Sequence, residues 1–186
     1  MKSILLSVQP KWCELIASGK KTVEIRKFRL ETPFKVYIYQ TKKTWVYDIY
    51  SKIADWQGKV IGEFICENIN QFKFDTLYGE YFLAGYIGAY MPLNEMCLTQ
   101  SQLIDYGDGK PLYGLHISEL KIYDKPKELS EFKRPCNHLD EYEGEEYCDC
   151  LNCDLAGDSD YGVVACDRTI TRPPQSYCYV EELTNG

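Results

Sequence analysis

The sequence predicts an α+β fold: a strongly bent sheet or small β-barrel of five or six strands, two or three short helices, and an acidic, cysteine-rich insertion. Three observations carry this. Apolar and polar residues alternate with period two in several short runs, among them Val23–Arg26 and Val36–Tyr39. Only two stretches, after Pro10 and after Thr99, combine helical spacing with start and stop signals. The stretch from about Pro135 to Asp167 holds many carboxylates and cysteines but few large apolar side chains. The 186 residues suffice for one domain with a sizeable core, so residues 1–186 read as a single unit with the insertion at about 135–167.

In chain order, Ile4–Val8 (ILLSV) reads as a buried strand. Pro10 then opens a helix at a position where its missing N–H removes no bond. Trp12, Leu15 and Ile16 fall on one side of that helix, and Gly19 supplies the stop. Thr22–Phe28 is the second strand and Phe34–Thr41 the third, its Val36 and Ile38 alternating against Tyr37 and Tyr39. Gly58–Ile69 is a further strand, in which Gly58 and Gly62 mark a bend or a close backbone approach. Residues 70–98 are aromatic, lack a clear period and receive no assignment. Thr99, with Gln102 three residues on, forms a capping-box pattern, and Gly107 ends the helix that follows. Tyr113–Tyr123 is a long strand stopped by Asp124 and Pro126. Ser176–Glu182, after Pro173 and Pro174, is the last strand.

Composition narrows the function classes. An apolar fraction of 45% with 14% aromatic residues argues against disorder. Sixteen tyrosines suit half-buried surfaces and ligand walls, because the ring is apolar and its tip polar. The apolar run Ile4–Val8 is too short for a signal-peptide core, and no later segment approaches a membrane span, so the expectation is a cytoplasmic protein without a membrane partner. The net charge of −7 is unevenly spread: residues 1–43 carry 10 basic and 3 acidic side chains, whereas residues 135–186 carry 2 basic and 12 acidic. A basic N-terminal segment that forms one face would attract an anionic ligand despite the acidic total; dispersed, its lysines serve only solubility. The acidic remainder disfavours broad, salt-driven duplex binding and favours a small anionic ligand or a short single strand.

The charged strand is the sharpest feature. Glu24 and Arg26, two residues apart, emerge on one face, opposite Val23 and Ile25. Exposed at a sheet edge, they form an ordinary ion pair. Turned into a sheltered hollow, they must pair with each other or with a ligand, and they then offer an acceptor beside a forked donor, the groups that read a base edge or hold a phosphate. Lys20 and Lys21, where helix meets strand, add positive charge at the rim. Thr22 lies on the Glu24 face, and Tyr39 and Trp45 are candidate stacking surfaces.

Gly19, Lys21, Glu24 and Arg26 match the G-x-K-x-x-E-x-R motif of ASCH domains, in the PUA-like superfamily. Ser7–Arg26, Gly58–Phe64, Leu115–Phe132 and Arg172–Glu182 resemble, in order, further segments of ASCH proteins common in bacterial and prophage genomes. The resemblance covers most of the chain apart from residues 70–98 and the insertion. It implies a PUA-like β-barrel with a cleft beside the motif, Lys20, Lys21, Thr22, Glu24, Arg26, Tyr39 and Trp45 as candidate ligand-binding residues, and RNA or a modified nucleobase or nucleotide as partner. Ser7 and Trp12 are read as supporting groups, Trp12 as core. Some relatives are hydrolases that deacetylate a modified cytidine with a Lys, a Thr nucleophile and a Glu. Lys21 matches that lysine, but Glu24 stands where the threonine would be, and a carboxylate cannot take a hydroxyl's part in that covalent chemistry. If the chain is an enzyme, acting as a nucleoside amidohydrolase or on RNA phosphodiesters, Lys21 and Glu24 are the catalytic candidates.

Nine cysteines without an extracellular context do not read as a disulfide framework. Cys13, Cys66 and Cys97 sit in apolar segments as small core residues, and Cys178, inside the last strand, is structural. The insertion differs: Cys136, His138, Cys148, Cys150, Cys153 and Cys166 cluster where burial supplies little order. Four of these six would hold one structural zinc; thiols in a mobile loop, or disulfides formed on oxidation, are the alternatives. No organic cofactor is implied. A protein-interaction adaptor working through this insertion is a further functional alternative.

Overall fold

The computed structural model describes residues 1–42, 53–85, 91–136, 139–142, 145–148 and 168–183. In chain order the elements are β1 (Lys2–Val8), α1 (Pro10–Ala17), β2 (Val23–Arg26), β3 (Phe34–Gln40), β4 (Val60–Cys66), β5 (Ile69–Asp75), β6 (Glu80–Leu83), α2 (Leu93–Met96), α3 (Gln100–Gly107), β7 (Leu112–His116), β8 (Ser118–Lys127), β9 (Leu139–Tyr142), β10 (Glu145–Cys148) and β11 (Tyr177–Val180). One sheet runs β11-β1-β3-β4-β8, a second β2-β7-β5-β6, and β9 with β10 forms a hairpin. Among the described residues only β1 and β3 pair in parallel.

The two sheets are halves of one bent surface. β4 pairs with β8 in the first sheet, and their continuations β5 and β7 pair in the second. The chain turns this corner at Glu67 and Asn68 on one side and at Ile117 on the other. His116 donates its N–H to the Asn68 carbonyl at 3.1 Å, and the Ser118 hydroxyl donates to the Ile65 carbonyl at 2.8 Å. A register shift between Glu63 and Ile65, with Glu119 at φ 49, gives the local irregularity such a corner requires. Gly58–Ile69 and Tyr113–Tyr123, each expected as one strand, are therefore each divided between two sheets. The bent α+β sheet expected from the sequence is present, but built from more strands than the runs suggested.

Period-two alternation decides the core. Ile4, Leu6 and Val8 of β1 and Phe34, Val36 and Ile38 of β3 enter one cluster with Cys13 and Ile16 of α1. Leu5, Tyr37 and Tyr39, on the opposite face, enter another with Phe132, Ile170 and Val180. The first sheet is thus covered on both sides, each fully buried aliphatic side chain contributing about 1.5–3 kcal/mol. A third cluster joins Val23 and Ile25 of β2 to Phe72, Tyr81, Met96, Leu103 and Leu112, between the second sheet and the helices α2 and α3. Cys97, expected in the core, is only half-buried and adopts φ 53 at the end of α2.

Helix α3 carries both halves of the expected capping box, Thr99 accepting from the Gln102 N–H and Gln102 from the Thr99 N–H. Gly107 is its last residue, and Asp108, at φ 52, makes the left-handed turn instead. The reason for glycine at 107 is packing: a Cβ there would lie 1.8 Å from the Tyr81 hydroxyl. At the insertion, Lys133 and Thr169 form an antiparallel bridge, with the Ile170 N–H donated to the Phe132 carbonyl at 2.9 Å. The two stems of the insertion are therefore tied together. Among the described residues no helix is long and apolar enough to cross a membrane.

Candidate functional site

The site begins at the end of α1. Gly19, at φ +71, lets the chain reverse: its N–H bonds to the Ile16 carbonyl, and the Lys20 N–H reaches back to Leu15, both at 2.9 Å. This is a Schellman cap, and it directs Lys21 under the helix. The Thr22 N–H is donated to the Glu95 carbonyl at 2.9 Å, which ties the entry of β2 to α2. β2 then pairs with β7 from Val23↔His116 to Arg26↔Tyr113. With Val23 and Ile25 committed to the core, the pleat leaves Glu24 and Arg26 on the other face.

That face does not meet bulk water. The Lys21, Glu24 and Arg26 side chains are 1%, 6% and 11% exposed. The Glu24 carboxylate lies between two cations, with Oε2 3.4 Å from Lys21 Nζ and Oε1 2.8 Å from Arg26 Nη2. Lys21 Nζ also donates to the Met96 carbonyl at 2.5 Å, and Arg26 Nη2 to the Ser7 carbonyl at 2.8 Å. Ser7 in turn donates its hydroxyl to the Pro174 carbonyl at 2.6 Å and its N–H to the Ser176 carbonyl at 2.9 Å, which holds residues 174–177 beside the guanidinium. Arg26 Nε is buried and meets no acceptor among the described residues.

The three charged groups line a cavity of about 1050 Å³. Trp12 of α1 forms part of its wall, with Lys21 Nζ 5.1 Å from the ring centroid. Phe28 and Tyr177, their centroids 4.1 Å apart, form another part. Helix α3 closes a further side with Gln102, Asp105 and Tyr106, and Lys27 Nζ stands 5.0 Å from the Tyr106 ring centroid. Burial pushes the Lys21 ammonium below its ordinary pKa, against the pull of the Glu24 carboxylate. Burial raises the Tyr106 phenol, with Arg26 opposing and Glu24 reinforcing the change.

Of the residues expected from the sequence, Lys21, Glu24 and Arg26 come together at this cavity. Ser7 and Trp12 line it too, and Trp12 is a half-buried wall rather than interior core. Lys20 and Thr22 are exposed and stand outside the cavity lining, Thr22 lying before β2 begins. Tyr39 is 3% exposed in the cluster on the far face of the first sheet and is not brought to the cavity, since the pleat that turns Ile38 one way turns Tyr39 the other. Trp45 lies outside the described residues. Gln102, Asp105, Tyr106 and residues 175–177 also line the cavity, though no motif in the sequence singles them out. Gln102, Asp105 and Tyr106, three and four residues apart, share one helix face, and that spacing is the signal in the sequence.

Of the six candidate zinc ligands, His138, Cys150, Cys153 and Cys166 lie outside the described residues. Cys148 ends β10 opposite Leu139, and Cys136 is half-buried on the stem. Among the described residues no group of three or more His, Cys, Asp or Glu side chains is placed to hold a metal ion. The adaptor surface expected on the insertion falls largely on residues outside those described.

A scan against models of protein families finds no match, and neither does a search of curated proteins. Among solved structures the chain is similar to ASCH from Zymomonas mobilis, at 25% identity over 69% of this chain and 74% of that one, with a TM-score of 0.47. Two single-substitution variants of that protein match at 25% and 26% identity over 69% of this chain, covering 77% and 75% of theirs, both with a TM-score of 0.46.

Proposed function

We propose that the cavity beside β2 binds one nucleotide, free or as an unpaired residue of RNA, modified nucleobases included. The observation that carries this is the carboxylate clamped between an ammonium and a guanidinium, nearly out of water, on the floor of a cavity with aromatic walls. Placing three charges where water is scarce is unfavourable by several kcal/mol unless they are fully paired, and a chain of this acidity gains nothing structural from them that apolar side chains would not supply. A guanidinium fork and a carboxylate recognise base edges and phosphates by geometry, while indole and phenol rings give sequence-tolerant stacking. The cavity, about 1050 Å³, slightly exceeds the roughly 300–1,000 Å³ common for small-molecule sites, room for a nucleotide and its immediate neighbours. The motif resemblance to ASCH domains supports the same reading.

One observation favours a second reading, hydrolysis of a modified nucleoside or an RNA phosphodiester. Burial holds Lys21 below its ordinary pKa, the direction that favours an amine acting as a general base. One experiment separates the two. Nucleosides, nucleoside 5′-monophosphates, acylated cytidines and short single-stranded RNAs are titrated calorimetrically and assayed for turnover with wild type and Lys21→Ala. Binding without turnover supports the module; turnover abolished in Lys21→Ala supports the hydrolase. If none of these ligands binds, both readings fail.

A further inference from the structure

Charge balance on the cavity floor says which part of a nucleotide belongs there. Lys21 and Arg26 contribute two positive charges and Glu24 one negative charge, and all three side chains are about nine-tenths buried or more. Among the described residues the remaining contacts of the cations are the Met96 and Ser7 carbonyl oxygens and, for Lys21, the Trp12 ring face, none of which carries a formal charge. Farther out, Lys27 and Asp105, both lining the cavity, offset one another in formal charge. Among the described residues the floor therefore holds one positive charge more than its negative charges balance, in a setting that solvates it poorly. The groups acting on Lys21 are Glu24 and Cys97, which favour its charged form, and Arg26, which opposes it; burial outweighs them and lowers its pKa, so the ammonium is held there at a cost. A neutral base edge placed here would leave that imbalance in place. An anionic oxygen would remove it, and ammonium and guanidinium groups are both phosphate binders.

We infer that the buried floor is a phosphate subsite, in which Lys21 and Arg26 receive phosphate oxygens while the base of the same nucleotide lies against Tyr106 at the mouth. This rests on the nucleotide reading above and adds an orientation to it. Tyr106 fits the outer position: it is 41% exposed and has Lys27 Nζ 5.0 Å from its ring centroid, so it borders solvent while the floor does not. The phosphate comes either as the monoester of a free nucleotide or as the diester of an RNA strand.

The test uses the full chain and three kinds of probe: inorganic phosphate, the four nucleosides with their 5′-monophosphates, and the matching dinucleoside monophosphates. At constant ionic strength, inorganic phosphate is expected to raise the melting temperature of wild type but not of Lys21→Met. That variant keeps the Glu24–Arg26 pair and replaces a buried charge by an apolar chain of similar length, so its folding is not at stake. At least one 5′-monophosphate is expected to bind roughly tenfold or more tightly than its nucleoside, and the ratio should fall to about twofold or less in Lys21→Met. Glu24→Gln, which removes the one negative charge on the floor, is expected to bind inorganic phosphate more tightly than wild type, a gain that a merely structural role for Glu24 would not produce. Preference for the diester probes assigns the site to RNA, and preference for the monoester to a free nucleotide; either supports the subsite. Equal binding of nucleosides and their monophosphates, with inorganic phosphate inert, overturns the subsite and leaves the nucleotide reading standing. Failure of every probe to bind overturns both.

Discussion

Replacing Glu24 by leucine is the perturbation that most directly questions the energetics of the site. The carboxylate is 6% exposed, with Arg26 Nη2 at 2.8 Å and Lys21 Nζ at 3.4 Å. Without it, two cations remain on the floor, their partners among the described residues being the Met96 and Ser7 carbonyl oxygens and the Trp12 ring. Breaking a buried ion pair by removing one member destabilises by about 3–5 kcal/mol. With a urea slope of about 1–3 kcal/mol per molar, the unfolding midpoint should fall by about 2 M. Lys21→Met should lose far less, under about 1.5 kcal/mol, because Glu24 keeps Arg26 and the volume is nearly conserved. In the double variant Glu24→Leu/Lys21→Met only one cation is stranded, so its loss should fall short of the sum of the single losses by more than about 0.5 kcal/mol. Urea unfolding followed by circular dichroism reads all three. A loss below about 1 kcal/mol for Glu24→Leu, with no coupling to Lys21, is what an exposed pair would give, and it would refute the claim that these charges are sheltered.

Three further outcomes follow from the same structure. Because the folded chain holds the Lys21 proton less tightly than the unfolded chain, the unfolded state binds more protons between the lowered value and the ordinary 10.5. Stability of wild type relative to Lys21→Met should therefore rise with pH across that window, the buried tyrosines Tyr37 and Tyr39 cancelling in the difference; parallel stability curves would contradict it. Gly107→Ala places a Cβ 1.8 Å from the Tyr81 hydroxyl and 2.4 Å from its ring, so Tyr81 must give up its bond to the Lys110 carbonyl. A loss of about 1–3 kcal/mol by urea unfolding is expected, and an unchanged midpoint would show that α3 packs differently. The proposal of a structural zinc on four of Cys136, His138, Cys148, Cys150, Cys153 and Cys166 predicts about one zinc per chain by elemental analysis of protein purified under reducing conditions; absence of zinc removes that proposal.

Local signals in the sequence were legible where one or two neighbouring residues determine the geometry. Pro10 and Gly19 bound α1, Thr99 and Gln102 open α3, and the alternation through Val23, Glu24, Ile25 and Arg26 separates core from site. What was not legible depends on how distant segments meet. Ile117 breaks a run that reads as one strand because β8 follows β4 in the first sheet while β7 follows β5 in the second. The pair β5 and β6 escaped notice because Asn70 and Gln71 interrupt the apolar pattern and the aromatic residues around them belong to both faces. In the sequence Tyr39 reads as a stacking surface, since period two sets it opposite Ile38. On a sheet covered from both sides, the opposite face is a second core rather than a cleft. Tyr106 and Asp105 sit on a helix whose capping was plain but whose direction toward β2 is set by packing of Leu103 against Met96 and Tyr81 in one cluster.

The central claim, that ligand meets this chain at the cavity beside β2, is tested most directly by titrating isotopically labelled protein with nucleoside 5′-monophosphates and mapping the amide resonances that move. The shifts should gather at residues 21–28, 98–106 and 175–177, and in Lys21→Met they should need several-fold more monophosphate to reach the same size. Shifts scattered over exposed lysines such as Lys2 and Lys11, with β2 and α3 unmoved, would contradict it.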